Sequence, residues 1–285
     1  MKIVLVHGAY HGSWCWERLT PELRLLGHTV VAVNLPTDDP TAGAKESADA
    51  IESAIDASSG APSAPDASSG ASSAPGASSV AAASSASGRG ASGDPDGPPV
   101  IVAHSMSGLV VPLVAARRPV AGIVFLAAFL PRPGVSANDQ RSSEPIDPPF
   151  TPTSQEWTDM GNGVWAVGPN TATQMFYSDL EPELAAWACA RLRPQAYRVM
   201  NEPSPIATWP DVRTAYVVCR DDHAINADWG RGAAAERLGI KALEIDGGHS
   251  PFLSRPAELA GILDAVAGTA FVPEVEAAIM GEPIG

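Results

Sequence analysis

A β-branched run that ends on a serine between small residues restricts this chain more than any other feature. Val100-Ile101-Val102-Ala103-His104-Ser105-Met106-Ser107-Gly108 passes from strand-forming residues into a tight turn, and residues 109–116 continue with helical spacing. A strand, a sharp turn and a helix in that order present the turn's side chain at the rim of a sheet, the layout of a nucleophile elbow. Other β-branched runs alternate with helical periodicity along the chain. Residues 3–6, 29–35, 100–103, 120–130, 214–219 and 242–245 read as strands. Residues 14–26, 44–57, 109–116 and 256–267 read as helices, and 233–238 as the end of another. That alternation predicts an α/β fold, with a mostly parallel sheet covered by helices on both faces.

Two segments interrupt the rhythm. In residues 56–93, 34 of 38 positions are Ser, Ala, Gly or Pro, and a ten-residue near-repeat starts at Asp56, Asp66 and Gly76. With one valine and no aromatic residue, this stretch cannot offset its ordering entropy by burial. It predicts a disordered low-complexity insert at about 58–93. Residues 131–210 are rich in Pro and aromatic residues, show no strand alternation and offer one helix, at 179–191. They predict a cap subdomain suited to an apolar or aromatic substrate. The expected organisation is a core of 1–130 and 211–285, broken by the insert, with the cap at 131–210.

The formal charge of −14 disfavours nucleic acid and anionic membranes as partners. Cys15, Cys189 and Cys219 are odd in number and widely spaced, which argues against a disulfide scaffold or a structural zinc site. The apolar start at 3–6 is too short for a signal peptide, and 120–130 is too short to span a bilayer. The expectation is a soluble, cytoplasmic protein, monomer or homodimer, with no cofactor and no metal.

A serine nucleophile needs a base within hydrogen-bond reach and an acid to orient that base. In the elbow fold the chain order is Ser, then Asp or Glu, then His. Arg220-Asp221-Asp222-His223 follows the strand at 214–219, and Asp246-Gly247-Gly248-His249-Ser250-Pro251-Phe252 follows the strand at 242–245. Both sit at C-terminal strand ends, where open parallel sheets place their sites. His249 is the best base, ahead of His104 and His223. Asp221 and Asp222 both qualify as the acid. After the first strand, His7-Gly8-Ala9 brings the Ala9 N–H into play, and it joins the Met106 N–H as a candidate oxyanion hole.

His7-Gly8-Ala9-Tyr10-His11-Gly12-Ser13-Trp14-Cys15-Trp16, together with the elbow and the Gly247–Phe252 turn, resembles one branch of the α/β-hydrolases. That branch holds plant methyl esterases, hydroxynitrile lyases and bacterial esterase relatives. The resemblance implies Ser105 as nucleophile, His249 as base, Asp222 rather than Asp221 as acid, and Ala9 and Met106 as oxyanion donors. It also implies a pocket lined by His11, Trp14, Phe129, Trp157 and Trp165. The elbow's usual flanking glycines are Ala103 and Ser107 here. Hydroxynitrile lyases of the branch carry Thr where Gly8 stands and Lys where Ser250 stands, so cyanohydrin cleavage is disfavoured. The expected activity is hydrolysis of a carboxylic ester, lactone or thioester of a small apolar or aromatic substrate through an acyl-enzyme. A non-hydrolytic lyase, cyclase or tailoring enzyme on the same scaffold, and an inactive ligand-binding protein, stay open as alternatives.

Overall fold

The computed structural model describes residues 1–59 and 97–268. The chain opens with β1 (Lys2–Val6), α1 (Leu19–Leu25), β2 (Thr29–Val33) and α2 (Ala44–Ser59). β3 (Val100–His104), α3 (Val111–Arg117) and β4 (Gly122–Leu126) follow. The long β4–β8 connection contributes α4 (Ala137–Ser143), β5 (Trp157–Gly161), β6 (Val164–Val167), α5 (Pro169–Phe176), α6 (Pro182–Cys189), β7 (Gln195–Ala196) and α7 (Arg198–Asn201). The chain returns through β8 (Thr214–Cys219), α8 (Ala227–Ala233), β9 (Leu243–Ile245), α9 (Pro251–Ser254) and α10 (Pro256–Gly268).

The main sheet has the order β2-β1-β3-β4-β8-β9 and every pairing is parallel. Its residues alternate between two cores with the period of two that a strand imposes. Val4, Val6, Ile101, Ala103, Ile123, Phe125, Tyr216 and Val218 face α2, α3 and α8. Ile3, Leu5, Val100, Val102, Val124, Leu126, Ala215 and Val217 face α1 and α10. β1, β3 and β4 are buried along their whole length, which is why 3–6, 100–103 and 122–126 are apolar runs rather than alternating ones.

Several boundaries move for local reasons. Residues 14–26 form a 3₁₀ turn (Ser13–Trp16) and then α1. A continuous helix would need the Pro21 nitrogen to donate to the Glu17 carbonyl, which proline cannot do. β4 stops at Leu126 because Ala127 turns out of the strand with φ +42°. α8 passes into one π turn (Ala234–Leu238), ended by Gly239 at φ +68°. α2 runs to Ser59. The rest of the low-complexity insert and the C-terminal tail lie outside the described residues.

Between β4 and β8 the structure departs from expectation. β5, β6 and β7 form a three-stranded antiparallel sheet. Its hairpin turns through Gly161, Asn162 and Gly163, all at positive φ. This Gly-Asn-Gly sequence is a turn signal that could have revealed the hairpin. The helix expected at 179–191 is α6, started by Pro182 in its first turn.

Candidate active site

Because the sheet is parallel, the carboxyl ends of β1, β3, β8 and β9 open on one edge. Strand order reverses between β1 and β3, whose neighbours lie on opposite sides, and a crevice forms at such a point. The loop His7–Gly12 leaves β1 on one side of it, and Ser105 leaves β3 on the other.

Ser105 has φ +54°, a left-handed conformation that costs a non-glycine residue roughly 1–2 kcal/mol. Neighbouring bonds hold it. The Phe129 N–H donates to the Ser105 carbonyl at 3.1 Å. The Ser107 hydroxyl lies 3.0 Å from the Val6 carbonyl and 2.9 Å from the His104 carbonyl. Ser107 therefore ties the elbow to the end of β1 at the position where a glycine is usual. Behind the elbow, Tyr216 steadies the turn after β4. Its hydroxyl donates to the Ala128 carbonyl at 2.8 Å and lies 3.2 Å from the Ala128 N–H. That turn carries Phe129, whose carbonyl closes against Gly108 so tightly that no side chain fits there.

His249 and Asp222 meet after β9 and β8. The His249 Nδ1 lies 2.9 Å from Asp222 Oδ2, with the two side chains 2% and 1% exposed. Asp222 Oδ1 accepts from the Ala224 and Ile225 N–H groups at 2.7 and 3.0 Å. A buried carboxylate needs such partners, and here both oxygens have them. The acceptor at Nδ1 leaves the His249 Nε2 lone pair free for a proton. Asp221 is exposed, and its backbone N–H bonds the Gly247 carbonyl. His104 Nε2–H donates to the His249 carbonyl at 2.9 Å, and the two rings pack 4.6 Å apart. The residue before Ser105 is thus bonded to the backbone of His249. His223 Nδ1 instead donates to the Gln174 carbonyl in the β4–β8 connection, and its ring stacks on Phe150 at 3.9 Å.

Ala9 follows Gly8 at the crevice. A Cβ on Gly8 would stand 2.7 Å from the Ser105 Cβ and 3.0 Å from His104 Nδ1, so only glycine allows this approach. The same crowding leaves no room for a threonine at position 8. His7 Nδ1–H donates to the Gly8 carbonyl at 2.8 Å, and its Nε2 accepts from the Leu35 N–H at 3.0 Å. The Gly8–Ala9 peptide plane, which carries the Ala9 N–H, is fixed from its carbonyl side. Burial lowers the His7 pKa to about 4 and the His11 pKa to about 3, and it holds His104 well below the usual imidazole range. All three rings are neutral at pH 7. Although four imidazoles gather here, their nitrogens are turned largely to backbone groups and Asp222. Among the described residues no group of three or more His, Cys, Asp or Glu converges as metal ligands.

The expected pocket residues fall in different places. Phe129 and Met106 are buried in the same core cluster. Trp14 stacks on His11 at 5.5 Å and meets Trp187 edge-on. Trp157 lies 6.0 Å from Tyr10. Trp165 pairs with Asp159 and Gln195 in the small sheet, and no ring contact joins it to the histidines among the described residues. His11 is buried, with Nδ1 on the Ala9 carbonyl at 2.7 Å and Nε2 on the Tyr177 hydroxyl at 2.9 Å. Both nitrogens are engaged within the protein. Phe176, at the end of α5, packs 5.9 Å from His249, 5.7 Å from His11 and 6.1 Å from Tyr10. Sequence reasoning did not single it out, because nothing in α5 marks which of its residues faces the sheet edge.

Comparison with known proteins fits this geometry. Methylesterase 7 of Arabidopsis thaliana is 28% identical, over 93% of this chain and 96% of its own length. Esterase PIR7B of Oryza sativa subsp. japonica is 29% identical, over 93% and 94%. Among solved structures, polyneuridine aldehyde esterase superposes with a TM-score of 0.69 at 20% identity, over 93% of this chain and 98% of that one. The model of the alpha/beta hydrolase family matches residues 3–262. A parallel sheet with Ser105 on a strained turn after β3, and an Asp–His pair after β8 and β9, stand within the matched residues: the chain belongs to the alpha/beta hydrolase family.

Proposed function

We propose that Ser105, His249 and Asp222 are the triad of a carboxylic ester hydrolase acting on small apolar or aromatic substrates through an acyl-enzyme. The buried Asp222–His249 hydrogen bond carries this reading. It fixes the His249 tautomer with a lone pair on Nε2, as a general base requires. Ser105 Oγ attacks the ester carbonyl while His249 Nε2 takes its proton. The Ala9 and Met106 N–H groups hold the oxyanion. His249 then returns the proton to the leaving alcohol, and the C–O bond breaks. Water, activated by the same nitrogen, frees the acid and restores Ser105.

Phe176, 5.9 Å from His249, and Met106, next to Ser105, supply apolar surface beside the triad, with Phe129 buried in the same cluster as Met106 and Trp14 and Trp157 next to the Ala9 loop. That lining favours an apolar or aromatic acyl group. A methyl ester of such an acid is the first substrate to try, given the methylesterase among the relatives. No helix among the described residues is long and apolar enough to cross a membrane. The reading extends to a cytoplasmic monomer or homodimer working on a small molecule, without nucleic acid or membrane.

Turnover of p-nitrophenyl butyrate tests the assignment. The wild-type chain hydrolyses it, and Ser105→Ala lowers kcat by about 10³-fold or more. Wild-type turnover by Ser105→Ala would refute the proposal.

A further inference from the structure

The loop that presents the Ala9 N–H is held from the β4–β8 connection as well as from the sheet. The Arg193 N–H donates to the Tyr10 carbonyl at 2.7 Å. The Tyr10 N–H donates to Gln195 Oε1 at 3.2 Å. The Tyr10 and Tyr197 hydroxyls meet at 2.7 Å. Tyr10 itself has φ +65°, a conformation that persists where its surroundings impose it. A fourth tie reaches Ala9 through His11, with Tyr177, just after α5, at its far end.

Elementary donor and acceptor logic fixes the protons in that tie. The Ala9 carbonyl can only accept, so His11 Nδ1 carries the hydrogen. In the neutral ring Nε2 is then an acceptor, and the Tyr177 hydroxyl donates to it. The ring is neutral because burial lowers its pKa to about 3, so its tautomer is the remaining variable. His7 bonds the Gly8 carbonyl and sets the peptide plane on one side of Ala9; its own tautomer is set by the Leu35 N–H within the core. His11 sets the plane on the other side, and its tautomer is set from the β4–β8 connection.

We propose that Tyr177 and His11 are positioning residues for the oxyanion hole: the Tyr177 hydroxyl locks His11 with its proton on Nδ1, and that N–H holds the Ala9 carbonyl so that the Ala9 N–H stays aimed at the Ser105 crevice. Neither residue touches the reacting atoms. Their effect falls on the transition state, where negative charge develops, and not on ground-state binding. The β4–β8 connection is thereby part of the catalytic machinery. This rests on the Ser105 ester-hydrolase reading, and the test separates the two.

Tyr177→Phe, His11→Ala and His11→Asn are compared with wild type on p-nitrophenyl butyrate, with active enzyme counted by fluorophosphonate labelling carried to completion. Ser105→Ala is the control for the underlying reading. Tyr177→Phe is expected to lower kcat about tenfold and His11→Ala about 100-fold, with KM little changed, in line with misplacing one oxyanion donor. The Ki of a trifluoromethyl ketone, whose hemiketal oxygen occupies the hole, rises by the same factors, whereas binding of butyrate stays within about twofold. Asparagine keeps an N–H one atom beyond Cγ, so His11→Asn recovers most of what His11→Ala loses. Adding Tyr177→Phe to His11→Asn then costs nothing further. If Ser105→Ala is inactive but Tyr177→Phe and His11→Ala keep wild-type kcat and ketone affinity, the positioning role is wrong and the ester-hydrolase reading stands. Equal losses in ketone and butyrate binding would also overturn it, because a merely structural role predicts that pattern.

Discussion

Three buried neutral imidazoles beneath the active site make the fold sensitive to mild acid. His7, His11 and His104 are fully enclosed, and burial is the main cause of their lowered pKa values: about 4 for His7, about 3 for His11 and well below the usual value for His104. In the unfolded chain each returns to the ordinary value of 6.5. Because the folded values are depressed, the unfolded state binds more protons as pH falls below 6.5. The neutral rings' stabilisation is therefore complete above that pH and is lost on acidification, until pH passes below the folded values. At pH 5 His7 and His11 have each forfeited about 2 kcal/mol relative to pH 7.5, about 4 kcal/mol together, and the lowered pKa of His104 acts in the same direction. That loss is a large share of the whole stability of a typical domain, about 5–15 kcal/mol. Between pH 6 and 5 unfolding takes up nearly two protons at His7 and His11, a slope of about 2 kcal/mol per pH unit. Glu244 is lowered to about 2 chiefly by hydrogen bonds from Arg231 and Arg220; its contribution disappears at lower pH, outside this window. Urea unfolding followed by tryptophan fluorescence at pH 7.5, 6.5, 5.5 and 5.0 reads the slope directly. An unfolding free energy that changes by less than about 1 kcal/mol across that range would refute the buried-neutral assignment.

Other expectations follow from single distances. Gly8→Ala places a Cβ 2.7 Å from the Ser105 Cβ, so the Ala9 loop recedes and kcat falls about 100-fold; a fully active variant would show that the approach is not required. Asp222→Asn keeps the shape but removes the charge and promotes the wrong His249 tautomer, lowering kcat by about 10³-fold or more. Asp221→Asn stays within about twofold, because Asp221 is exposed. The opposite ranking of these two variants would move the acid to Asp221.

What the sequence discloses follows from how local each determinant is. β1, β3 and β4 are legible because strands buried on both faces must be apolar throughout. The elbow is legible because a strand, a small-residue turn and a helix are contiguous in 98–117. Asp222 and His249 follow their strands within a few residues, so their placement at the sheet edge is readable from order alone. The antiparallel sheet of β5, β6 and β7 is harder to see. β5 is largely exposed, so it carries no alternation, and β7 pairs across about 30 residues; only the Gly161-Asn162-Gly163 turn announces it. The setting of His11 is illegible for a similar reason. Its partner Tyr177 lies 166 positions away, and no local pattern distinguishes a histidine that lines a pocket from one that braces a loop. Phe176 adjoins His249 only because α5 folds over the sheet edge.

As the nucleophile, Ser105 carries the acyl group between the two half-reactions. Rapid-quench mass spectrometry of the chain turning over p-nitrophenyl butyrate tests it directly, with peptides mapped after acid quenching. A butyryl adduct is expected on the peptide containing Ser105, formed within the burst of nitrophenol release and absent from Ser105→Ala. Burst-phase turnover with no adduct on that peptide, or with the adduct on another residue, would contradict it.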